Sequence, residues 1–287
     1  GNKRYGLLVR SDESEVKITG CTVNKNGEEG IYVKCGGQGL IGRNTAFDNG
    51  GNGIQVGSDL NGSFNIRNNR VNRNKKSGIL AGNVKEMTIE ENFSEDNEDR
   101  GMIVLTGSGK AVIRNNRCHG SGSYAIQVEK MSAQISGNEL YDNYGGIHVI
   151  NGTMAKVSQN RVAGCSEKPA ITAEGVAEFE ANMNECTYND GVGIFVTARS
   201  HARVEENRCE NNGGDGIQFN GEAAGSIVRN WCEGNFGNGM AVYRTAADVL
   251  MMNNRCLGND ASGIEVSGAT NVVVKDNLIT GNADHGL

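Results

Sequence analysis

Three residues of this 287-residue chain have side chains suited to moving protons: Glu129, His148 and Glu174, one in each of three successive repeats. If the repeats stack as β-strands, the two carboxylates lie roughly 10 Å apart with the imidazole between them. Inverting glycoside hydrolysis uses a carboxyl pair somewhat closer than that. A histidine beside a carboxylate also suits abstraction of a sugar C5 proton. The same three residues are equally at home on an ordinary polar surface. A second pattern is Arg70, Arg117, Arg161, Arg208 and Arg255, one in every second repeat. Phe93, Glu139, Met183, Trp231 and Leu278 occupy the alternate repeats. A guanidinium about every 10 Å suits a regularly charged polymer such as an acidic polysaccharide. Trp231 suits stacking on a sugar ring or on a neighbouring arginine. Long side chains decorating an exposed strand would read the same way.

The elements that must position these residues follow from a cycle of Gly-Ile-x-Val. It runs Gly30-Ile31-Tyr32-Val33, Gly53-Ile54-Gln55-Val56, and on to Gly263-Ile264-Glu265-Val266. Successive starts lie 21 to 25 residues apart, giving about twelve units from end to end. An asparagine column stands nine residues before most of those glycines: Asn44, Asn69, Asn92, Asn116, Asn138, Asn160, Asn182, Asn207, Asn230, Asn254 and Asn277. Another comprises Asn26, Asn49, Asn74, Asn97, Asn143, Asn189, Asn212, Asn235, Asn259 and Asn282. Short alternating segments between Gly and Asn turns mean strands, three per unit. The expected fold is therefore all-β: one single-stranded right-handed parallel β-helix over residues 1–287, with like residues stacked on like. Asparagine suits its turns, and stacked amides pass hydrogen bonds from coil to coil. Leu80, Ile103 and Leu105 fall on the outward side of the first strand and would form an apolar patch there.

Composition agrees. Gly makes up 42 residues and Asn 37, Pro occurs once and aromatics are 5%. That is too few large apolar residues for a layered core. A net charge of −6 argues against a nucleic-acid partner. No apolar run approaches the length of a membrane span. The eight cysteines form no CxxC pair, and His119, His201 and His285 lack ligand spacing, so neither metal nor cofactor is expected. Cys118, Cys209, Cys232 and Cys256 fall on inward positions; buried unpaired thiols favour a reducing compartment, the cytoplasm. Asn-x-Ser/Thr triplets at Asn61, Asn92 and Asn151 are expected by chance in so Asn-rich a chain. The pattern starts and stops in mid-cycle without a capping helix. Flanking domains in a longer chain, or end-to-end or side-by-side homo-oligomers, are expected.

The Gly-Ile-x-Val and Ile-x-x-Asn-x-Val/Cys columns resemble the parallel β-helix repeats of the pectin lyase-like superfamily. They are most similar to its carbohydrate-binding and sugar-hydrolase (CASH) and NosD-type repeats, over essentially all of residues 6–287. That superfamily includes pectate lyases, polygalacturonases, alginate lyases, C5-epimerases, phage tailspikes, and modules without chemistry. The Asn-Thr-Asp, Asp-Asp and Gly-His-Gly set of polygalacturonases and the Asp-Pro-His set of mannuronan epimerases are absent from this sequence. Two readings follow. The first is a β-helical recognition or scaffold module that binds an acidic polysaccharide or a protein along an exposed strand face. The second is a polysaccharide lyase, glycoside hydrolase or C5-epimerase acting on an acidic polysaccharide.

Overall fold

The structure, a computed structural model, describes residues 1–12, 15–57, 62–245 and 247–287; the triplet residue Asn61 lies outside them. Every regular element among the described residues is a strand, wound into a parallel β-solenoid of about twelve coils. The coils fall into two compact units, Gly1–Tyr144 and Gly145–Leu287.

In the first unit a coil has three faces, as in Ile31–Cys35, Gln38–Gly42 and Thr45–Phe47. The first-face column runs Leu7, Ile31, Ile54, Ile79, Met102 and Ile126 in strict parallel register. In the second unit the same column is Ile147, Ile171, Ile194, Ile217, Met240 and Ile264. All six of these are fully buried. Each contributes about 2 kcal/mol by leaving water. The predicted three-strand coil is modified twice, because Ile79–Glu90 and Met102–Arg114 run through the first bend without a break. The bend survives inside them as left-handed residues, Asn83 (φ 52°) and Thr106 (φ 51°).

The asparagine columns are hydrogen-bonded ladders. In the first unit Asn44, Asn69, Asn92 and Asn116 each donate Nδ2–H to Oδ1 of the next member at 3.0 Å, reaching Asn138. In the second unit the ladder runs Asn160, Asn184, Asn207, Asn230, Asn254 and Asn277. Asn184, not Asn182, is the member in its coil. The cause is local: a left-handed residue immediately precedes each ladder asparagine, and here it is Met183 (φ 52°). Asn182 instead ends the strand Glu178–Asn182. The shift also adds Cys186 to the buried thiols, so Cys186, Cys209, Cys232 and Cys256 stack in register. None of the eight cysteines forms a disulfide, and seven are buried. Burial pushes the Cys118 thiol up to about 11 and that of Cys256 up to about 12, which keeps both protonated and inert. The expected apolar patch does not form as such: Ile103 is only 4% exposed, and Leu80 and Leu105 are half-buried.

Candidate functional site

The alternation of strands delivers the sequence-predicted residues to definite faces. His148 and Glu174 lie on adjacent first-face strands of the second unit, Gly145–Ile150 and Ile171–Glu174. The His148 Nε2 sits 3.1 Å from Glu174 Oε2. His148 is 8% exposed, whereas Glu174 is open to solvent. Glu129 belongs to the first unit, where its carboxylate accepts from Gln127 Nε2 at 2.5 Å, and Gln127 in turn accepts from Arg100 Nε.

The arginines occupy the third face. In the first unit Arg70, Phe93, Arg117 and Glu139 stack in register. In the second the file is Arg161, Glu185, Arg208, Trp231, Arg255 and Leu278. Glu185 replaces Met183 in it, by the same one-step shift as at Asn184. Carboxylates already meet these cations. Arg70 reaches Glu95 at 3.2 Å, Arg117 reaches Glu139 at 2.7 Å, Arg161 reaches Glu185 at 3.6 Å, and Arg208 pairs with Glu210. Arg255 lies over the Trp231 ring at 4.5 Å, and Trp231 Nε1 donates to Glu233 at 2.7 Å. The face thus carries alternating charge.

Two arrangements escaped the sequence columns. One is a polar cluster on the first face of the second unit. Asn238 Nδ2 donates to Asp215 Oδ1 at 3.0 Å, to Glu265 Oε2 at 2.8 Å and to Tyr243 Oη at 2.9 Å. The Tyr243 hydroxyl donates to the same Glu265 oxygen at 2.6 Å. Burial and the Glu265 bond raise the Tyr243 hydroxyl above its ordinary range. Burial likewise lifts the Asp215 carboxyl, against the two hydrogen bonds that Asn238 gives it. The available signal was the residue before each column glycine, where Asp215 and Asn238 stand. A raised carboxyl gives stability at low pH that is lost as pH climbs from 3.8, the ordinary value, through the folded value. Asp215→Asn keeps the acceptor and removes the charge. It is expected to raise the melting temperature at pH 7, with the gain vanishing at pH 3.5.

The other arrangement is a groove on the second face of the first unit. A cleft of about 370 Å³ is lined by Gln38, Leu40, Ser63, Asn65, Glu86 and Thr88, with Glu15 at its rim. Gly39 makes room for the Phe64 ring beneath, since a Cβ there would lie 2.3 Å from it. Asn65 holds Glu90 through Nδ2 at 3.3 Å, while its shielded Oδ1 has no hydrogen-bond partner among the described residues. Leu40 also lines a second hollow of about 200 Å³ with Lys17, Thr19, Gly42, Arg43 and Arg67. Donors and acceptors on an apolar floor are what an uncharged polyol needs for orientation.

A model of right-handed β-helix regions matches residues 57–182, 100–254 and 169–287 of the chain. No curated protein matches it by sequence. Among solved structures, the periplasmic alginate epimerase AlgG is 13% identical with a TM-score of 0.53, over 97% of this chain and 78% of that one. The catalytic unit of the thermostable GH87 α-1,3-glucanase from Streptomyces thermodiastaticus strain HF3-3 is 13% identical with a TM-score of 0.52, over 94% and 64%. At such identities the likeness is one of fold. The chain belongs to the right-handed β-helix family.

Proposed function

We propose that the protein is a β-helical module that binds a polysaccharide in the second-face groove of its first unit. One observation carries the reading. The groove is a concavity on a strand face, with amide, hydroxyl and carboxylate groups around Leu40 and Phe64. A rigid strand scaffold holds them without ordering cost. The fold is shared with the alginate epimerase and the α-1,3-glucanase, which adds support for a glycan ligand. Titration calorimetry with alginate and α-1,3-glucan oligomers tests it. One of them is expected to bind the wild type, and Asn65→Ala with Glu86→Gln to weaken that binding about tenfold, the loss of one or two good hydrogen bonds. Equal binding by the double variant would end the assignment.

A second reading, proton transfer on a sugar, is favoured by Tyr243 and Glu265 at 2.6 Å beside a carboxyl that resists ionisation. His148 with Glu174 is the other acid–base pair of that unit. Under this reading alginate yields an unsaturated product absorbing in the ultraviolet. Loss of the signal in Tyr243→Phe assigns the chemistry to the cluster, and loss in His148→Ala alone assigns it to the imidazole. Epimerisation gives no chromophore and is read instead by proton NMR of alginate; absence of both signals from the wild type ends this reading.

A further inference from the structure

We infer that the hollow at the end of the groove, around Gly42, is a subsite for a single oxyanion: a carboxylate or sulfate group carried by the glycan, or the free ion. The inference rests on the proposed glycan groove for its first source and stands without it for the second.

Three basic residues border the hollow. Lys17, Arg43 and Arg67 line it together with the Thr19 hydroxyl. In the column Thr19, Gly42, Arg67 the middle residue has no side chain. A Cβ at Gly42 would meet only the Arg67 backbone oxygen at 3.4 Å and the Arg67 Cγ at 3.7 Å, which are ordinary contacts. The glycine is therefore not demanded by the backbone; it leaves the space open between the charged walls.

Among the described residues no carboxylate forms an ion pair with Lys17, Arg43 or Arg67, although Arg67 exerts a weak pull on Glu90. The acid that faces Arg67 in the next coil, Glu90, is taken by Arg114 at 2.7 Å and by Asn65 at 3.3 Å. Elsewhere in this chain of net charge −6, arginines such as Arg73, Arg117 and Arg229 are matched by acids. An anion in this glycine-floored hollow would lie among three basic side chains that form no ion pair among the described residues, and would be attracted by all three. Guanidinium forks favour carboxylate and sulfate geometry over a diffuse counter-ion cloud.

The test holds ionic strength fixed and compares dextran with dextran sulfate, the same backbone with and without charge, and with sodium sulfate alone. Dextran sulfate is expected to bind the wild type at least tenfold more tightly than it binds Gly42→Leu, which fills the hollow but keeps all three cations. Arg67→Gln should lose a similar factor. If sodium sulfate alone raises the wild-type melting temperature at millimolar concentration, and not that of Gly42→Leu, the free ion is the ligand and the subsite stands even if no glycan occupies the groove. Equal binding of dextran sulfate and an equal sulfate response in wild type and Gly42→Leu would overturn the subsite, leaving diffuse attraction to a basic patch. Weak but unchanged dextran binding in the variants would show that the groove survives while the charged end is separable. A folded Gly42→Leu, with the wild-type circular dichroism spectrum, validates the comparison; if it does not fold, Lys17→Gln with Arg67→Gln replaces it, and retained selectivity for dextran sulfate then refutes the subsite.

Discussion

Asn184→Ala is expected to cost about 4 kcal/mol, while Asn182→Ala, two residues earlier, costs close to nothing. Asn184 is 2% exposed. Its Oδ1 accepts from the Asn160 backbone N–H and from Asn160 Nδ2, both at 3.0 Å. Its Nδ2 donates to Val157 O at 2.8 Å and to Asn207 Oδ1 at 2.9 Å. Truncation strands two donors and weakens two acceptors inside the stack, where water does not replace them. Each stranded group costs about 1–3 kcal/mol, reduced by some relaxation. For a domain of this size the melting temperature should fall by about 10 °C. Asn182 Oδ1, by contrast, is shielded and has no partner among the described residues, so its removal gives up no bond. Thermal melts of the two variants check the pair; equal destabilisation would mean that the ladder does not pass through Asn184.

Gly216→Ala should be nearly as damaging, at about 3 kcal/mol. A Cβ at this position would stand 2.5 Å from Gly239 O and 3.0 Å from both Asn235 Nδ2 and Cys232 Cβ. The carbonyl cannot retreat freely, since it accepts the Ile217 N–H that joins the two coils. Gly82→Ala is the control, because its nearest neighbour would be the Leu80 side chain at 4.0 Å. Urea denaturation should separate the two by most of that difference. The column tolerates alanine at Ala125 and Ala170, and those two coils carry Ser121 and Cys165 where the others carry the ladder asparagine.

The coil pattern was legible because the fold is one-dimensional: a residue's neighbours are the residues one period away, so columns in the text become contacts in space. Ile194 above Ile171 and Asn207 above Asn184 follow from counting. Counting fails where the period slips. The coil with Asn182 and Asn184 offers two asparagines, and only the left-handed turn at Met183 decides between them. The same slip hid Cys186 and Glu185. Sites were less legible, because they are made by differences between coils and not by the repeat. The arginine file was visible, but its partners Glu95 and Glu210 stand two residues beyond file positions, with side chains that turn toward it. The Asp215–Asn238–Tyr243–Glu265 cluster joins three coils through an amide that reaches both ways. The hollow beside the groove depends on what Gly42 omits, which no motif announces.

Carboxyl footprinting tests the central claim most directly. The protein is labelled with carbodiimide and glycine ethyl ester, alone and with saturating alginate or α-1,3-glucan oligomers, and the sites are read by mass spectrometry. Bound glycan is predicted to slow labelling of Glu15 and Glu86 at the groove and to leave the exposed Glu222 and Glu206 unchanged. Unaltered labelling of Glu15 and Glu86 with both glycans would contradict the account.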